Sequence, residues 1–83
     1  MAAVPPASFL AIVQIHHLQA MLNLGILPNP LTGKPNPRNE AMARRELQLM
    51  EILREKTLGN LTEEEDDILL ESINATRMAL GDE

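Results

Sequence analysis

The stretch "TLGNLTEEEDDILL", residues 57–70, reads as one helix ending, a tight break, and a second helix starting. Thr62 has the side chain of an N-cap, and Glu65, three residues on, completes a capping box. The acids that follow suit the positive end of a helix dipole. A helix over residues 63–80 follows, with Leu69, Ile73, Thr76 and Leu80 as its main stripe. Ile68, Ser72, Ala75 and Ala79 form a second stripe of mostly small residues, suited to a close neighbour. Glu64, Asp67 and Glu71 share one face. Without the spacing of a calcium loop, they read as a solvated face rather than a cation site.

Before the break, a second helix is expected over residues 37–58, with Pro37 at the first helical position and Gly59 as its stop. Met42, Ala43, Leu47, Leu49, Met50 and Leu53 form its apolar side, and Arg44, Gln48, Glu51 and Glu55 its wet side. The short break makes helices two and three an antiparallel αα-hairpin.

Further back stands "GILPNPLTGKPNP", residues 25–37, with four prolines and a Gly-Lys pair. A phosphate-binding loop needs G-x-x-x-x-G-K-[ST] after a strand, because successive backbone N–H groups curl round the phosphates. Pro28 stands where the first glycine belongs, Pro35 follows Lys34, and the prolines remove the donors. The segment therefore reads as a semi-rigid Pro-rich strap over residues 25–36, with a turn at Gly33. Ile26, Leu27 and Leu31 are expected to pack down on the helices.

Helix one spans residues 9–24, after Ser8 as N-cap and before Gly25. At 100° per residue, Phe9, Val13, Ala20, Met21 and Leu24 form one apolar arc, and Ala11, Ile15, Leu18 and Leu22 a second. His16, Gln19 and Asn23 make a narrow polar stripe between them. A helix apolar on two sides expects burial on two sides. The fold expected is all-α: a three-helix domain of residues 8–83, helix one plus the hairpin joined by the strap, behind a flexible tail of residues 1–7.

Charge divides the chain sharply. No residue before Lys34 has a charged side chain, yet the 83 residues carry a net charge of −5. That balance argues against nucleic acid as a partner, and one Phe with no Trp or Tyr leaves no stacking platform for single strands. Without cysteine there is neither a disulfide nor a thiolate metal site. The N-terminus lacks a basic stretch ahead of its apolar run, and polar residues interrupt helix one, so neither a signal peptide nor stable membrane insertion is read. A cytoplasmic protein is expected.

No catalytic constellation, metal site or cofactor site is expected. His16 and His17 point about 100° apart and have no acid before Glu40 to orient them. Lys34 and Arg38 are the candidate anion patch. "LGILPNPLTGK", "MEILREKTLGNLTEEEDDILL" and "TRMAL" together resemble a bacterial family, the domain of unknown function 1844. The resemblance runs from about Met21 to Leu80 and implies a small helical domain with no assigned activity, cofactor or catalytic residue. The chain departs from that pattern at Gln48, where members usually carry Asp, and in "MALGDE", which lacks the expected aromatic residue.

The function expected is therefore a non-enzymatic protein–protein association module whose partner is itself or another protein. Its candidate interface is Phe9, Val13, His16, Leu18, Gln19, Met21, Leu22 and Asn23 on helix one. The alternative is a monomeric accessory protein that binds a small ligand or anion through the strap.

Overall fold

A computed structural model describes residues 7–81. The reading of a flexible tail thus lies, for residues 1–6, outside the described residues. The fold is all-α: α1 (Phe9–Asn23), α2 (Glu40–Lys56) and α3 (Glu63–Leu80), each packed against the other two.

α3 starts where its local chemistry dictates. Thr62 Oγ1 accepts from the Glu65 N–H at 3.1 Å, and Glu65 Oε1 accepts from the Thr62 N–H at 2.9 Å. Two donors that a helix start leaves orphaned are satisfied reciprocally. Its buried residues are Leu69, Ser72, Ile73, Thr76 and Leu80, one stripe at helical spacing. The buried Thr76 hydroxyl donates to the Ser72 carbonyl at 2.8 Å, so its burial leaves no unmet donor.

α2 begins three residues later than expected. Asn39, not Asn36, is the N-cap, its side chain accepting from the Met42 N–H at 3.1 Å. The reason lies in Asn36, whose side chain is engaged elsewhere: Oδ1 accepts from Asn29 at 3.1 Å and Nδ2 donates to the Leu22 carbonyl at 3.5 Å. Pro37 consequently lies in non-helical chain ahead of α2. At the far end, Thr57 caps α2 by donating its hydroxyl to the Leu53 carbonyl.

α1 is capped by Ser8, which accepts from the Ala11 N–H. Its other end is a Schellman motif: Ile26 N–H donates to the Met21 carbonyl and Gly25 N–H to that of Leu22. Gly25 has φ +72°, and a Cβ there would stand 2.9 Å from the Asn36 carbonyl oxygen. Both the left-handed backbone and the close approach call for glycine.

One core joins the three helices. Val13 and Leu24 of the α1 side meet Ala43, Leu47 and Met50 of α2 and Leu69, Ile73 and Leu80 of α3. Phe9, Met21 and Leu53 pack against its margin. The first apolar arc of α1 is therefore the inward one.

Candidate protein interface

The second arc of α1 faces out. Ile12 is 43% exposed, Ile15 56% and Leu18 48%, and with Ala11 and Gln14 they form an open, largely apolar face along the helix. Over these residues, spacings of three and four align the side chains on one side of the rod. α1 contains no charged side chain to interrupt them. Ile12 was absent from the two arcs read in the sequence, yet it borders the exposed one.

The residues proposed from sequence as an interface do not form a single patch. Val13 is fully buried in the core and unavailable to a partner. Phe9 and Met21 are half-buried against the core margin. Leu18 and Gln19 are exposed, and Leu22 and Asn23 are half-buried. The Asn23 side chain turns back on its own helix, donating to the Gln19 carbonyl at 2.9 Å.

His16 is used inside the fold. Its Nδ1 lies 2.6 Å from Glu46 Oε2, and Glu46 is only 7% exposed. The carboxylate that orients the ring comes from α2, thirty residues away, so no inspection of the neighbourhood of His16 finds it. A signal was present in α2 itself. Glu46 sits with Ala43, Leu47 and Met50 at i, i+3, i+4 and i+7, the register of a core stripe. A carboxylate in such a stripe needs a polar partner. His16 and Glu46 clamp α1 to α2. Among the described residues no group of three or more His, Cys, Asp or Glu could hold a metal ion.

The connection between α1 and α2, residues 24–39, is a second exposed surface. The Asn39 N–H donates to the Asn23 carbonyl at 2.6 Å, closing the connection at its base. Higher up, Pro28 and Pro35 form an isolated antiparallel bridge, and Asn29 N–H donates to the Lys34 carbonyl at 2.9 Å. At the tip, the Asn29 carbonyl accepts from Thr32 N–H and Gly33 N–H, while its side-chain oxygen accepts from Leu31 N–H at 2.8 Å. Asn29 thus starts the turn and Pro30 fills its second position, both favoured residues for those places.

Ile26, Leu27 and Leu31 do not pack down as expected. Leu31 is 93% exposed, the highest value for a large apolar side chain among the described residues, and Ile26 is about half exposed. The Asn29-centred turn holds Leu31 at its tip, away from the core. Of the candidate anion patch, Arg38 is already engaged. It donates to Glu40 at 3.0 Å and to the Ala79 carbonyl at 3.4 Å. Lys34 is exposed.

Among the described residues, no helix is long and apolar enough to cross a membrane. No curated protein and no solved structure matches the chain. A family model does match, over residues 6–82 and hence nearly the whole length: the chain belongs to the family described as Domain of unknown function (DUF1844).

Proposed function

We propose that this protein is a non-enzymatic helical association module, working in the cytoplasm, that pairs with a second copy of itself through the outer face of α1. One observation carries the reading: Ile12, Ile15 and Leu18 stand side by side on a helix without charge. A contiguous apolar patch of this kind marks an interaction site on a folded protein.

Fully burying an aliphatic side chain gains about 1.5–3 kcal/mol. These three are already about half buried, so each would add roughly half of that. Six such side chains across two copies then supply about 5–9 kcal/mol, against an association cost of about 4–15 kcal/mol. At the favourable ends of both ranges the surplus is about 5 kcal/mol, a weak pair with a dissociation constant of about 0.2 mM. The exposed Gln19 borders the patch and would favour one register over another.

The reading takes α2 and α3 as an antiparallel hairpin, which the Arg54–Asp66 pair near the break and the Arg77–Glu51 pair farther along support. It takes residues 25–36 as a strap. The anion-binding alternative has less support, since Arg38 is already tied to Glu40 and Ala79.

Light scattering on a sizing column over a hundredfold range of protein concentration tests the proposal. The expected result is a mass of two chains that falls to one on dilution, and Leu18→Glu monomeric throughout. A folded monomer at every concentration would refute self-association.

A further inference from the structure

The seam between α1 and α2 has the second wall that the outer face of α1 lacks. Two contacts set how these helices lie: His16 is level with Glu46, and Asn23 with Asn39. The pair therefore runs antiparallel, and Ile12 stands level with Leu49. At spacings of three and four, Ile12, His16 and Gln19 share one row of α1, and Met42, Glu46 and Leu49 share one row of α2. The His16–Glu46 contact turns both rows to the same seam. The next rows outward carry Ile15 on α1 and Arg45, Ile52 and Lys56 on α2. Exposed apolar side chains thus border the seam from both helices, Ile12 and Ile15 from one, Met42 and Ile52 from the other.

Charge gives this seam a sign. Arg38, Arg54 and Arg77 each lie against a carboxylate, and Arg44 is engaged as well. Arg45 and Lys56 are exposed and, among the described residues, have no hydrogen bond or ion pair. Both stand on the α1 side of α2. The acids of α2 lie elsewhere: Glu46 is buried against His16, Glu40 pairs with Arg38, and Glu51 and Glu55 border the cleft toward α3.

We propose that this seam docks an amphipathic α-helix of another protein, one with apolar residues at three- and four-residue spacing and carboxylates along one flank. Packed helices lie about 8–10 Å apart, and the furrow between two of them takes the apolar face of a third. Arg45 and Lys56 are eleven residues apart, about three turns and about 16 Å along α2. They set where the partner's acids belong: about three turns apart, on the flank toward α2. α1 has no charged side chain, so the other flank needs none.

A second copy does not supply such a helix. α3 has the acids but buries its apolar stripe in the core, and α1 has an exposed stripe but no acid. Two α2 helices meeting through this row would set cation against cation. A lipid surface fits less well. Anionic membranes are recognised by clusters of about four to eight bases, whereas this seam has Arg45 and Lys56 in a chain of net charge −5. The inference goes beyond the self-pairing reading. Because Ile12 and Ile15 belong to both surfaces, a docked helix displaces the weak pair.

The test uses two synthetic alanine-based helical peptides of about 18 residues, long enough to span both cations. Each has a leucine stripe at three- and four-residue spacing. One carries two glutamates about three turns apart beside that stripe, and the other carries lysines there. Fluorescence anisotropy of the labelled peptides reads binding. The glutamate peptide is expected to bind at least about tenfold more tightly. Joint substitution Arg45→Glu and Lys56→Glu should reverse that order, and Ile52→Asp should weaken binding at least about thirtyfold. All three side chains are exposed, so circular dichroism is expected to show the helix content of the parent. Leu18→Glu lies outside the seam and should leave peptide binding unchanged while abolishing self-pairing, so the two readings fail separately.

Equal binding of the two peptides, or a preference that survives reversal of both cations, would overturn the proposal. So would the absence of binding, or binding that survives Ile52→Asp. Should Ile52→Asp lose its helices, the charge reversal alone decides. Cosedimentation of the parent with vesicles rich in anionic lipid, lost on reversal of both cations and with neither peptide bound, would assign the seam to a lipid surface instead.

Discussion

α1 and α3 are helices of similar length, 15 and 18 residues, specified to different degrees by their own ends. α3 has a capping box, four acids in its first turn, Arg77 in its last and a left-handed Gly81 as its C-cap. Each of these complements the dipole or an orphaned backbone group, so the segment encodes its own helix. α1 has no acid in its first turn and no base in its last. Ser8 and the left-handed Gly25 cap its ends, but without those charges more of its helical state rests on packing, the usual source of helix stability in proteins. The outer face of α3 carries Asp67, Glu71 and Asn74, with Met78 exposed at its end, and is mostly polar. That of α1 carries Ile15 and Leu18 and is not. The contrast teaches that an outward face shows how much of a helix its own fold explains.

The contrast is sharpest in matched leucines. Leu69→Ala on α3 empties a fully buried site and should cost about 3–5 kcal/mol by chemical denaturation. Leu18→Ala, measured on dilute single chains, should change stability by only about 0.5 kcal/mol. A comparable loss at both positions would mean that the outer arc of α1 is part of the monomer's core, and the contrast would collapse.

The next largest effect concerns how α1 ends. Gly25→Ala combines a positive φ with a contact of 2.9 Å to a backbone oxygen and should cost about 2 kcal/mol or more. Gly33 has a positive φ in open space, and Gly33→Ala should cost about 1 kcal/mol. Equal losses would mean that the connection does not press on the end of α1.

The smallest effect tests the caps. Thr62→Ala removes an acceptor from a capping box and should lower the melting midpoint by an amount equivalent to about 1 kcal/mol. Ser8→Ala removes a single cap bond from α1 and should cost about 0.5 kcal/mol. The reverse order would show α1 to be the helix that depends more on its own terminal signals.

What was legible in the sequence follows the same division. Local chemistry announced itself: the capping box at Thr62, the glycine after α1 and the inward arc through Phe9, Val13 and Leu24 all depend on residues a few positions apart. The start of α2 was obscured because Asn36 and Asn39 are both good caps, and a tertiary contact to Asn29 and Leu22 decides between them. The His16–Glu46 clamp joins residues thirty apart and had only an acid in an apolar stripe to betray it. Leu31 reads as an apolar residue seeking cover. Its exposure follows from the Asn29-centred turn, which forms once the connection is closed.

That closure has a practical side. Because the Asn39–Asn23 hydrogen bond joins the ends of α1 and α2 directly, the helices need not know what the tip of the connection contains. Lengthening a flexible loop costs little, about 0.6 kcal/mol for each doubling. A foreign peptide spliced between Thr32 and Gly33 would therefore leave the three-helix body standing, and the protein could serve as a small cysteine-free carrier for displayed sequences.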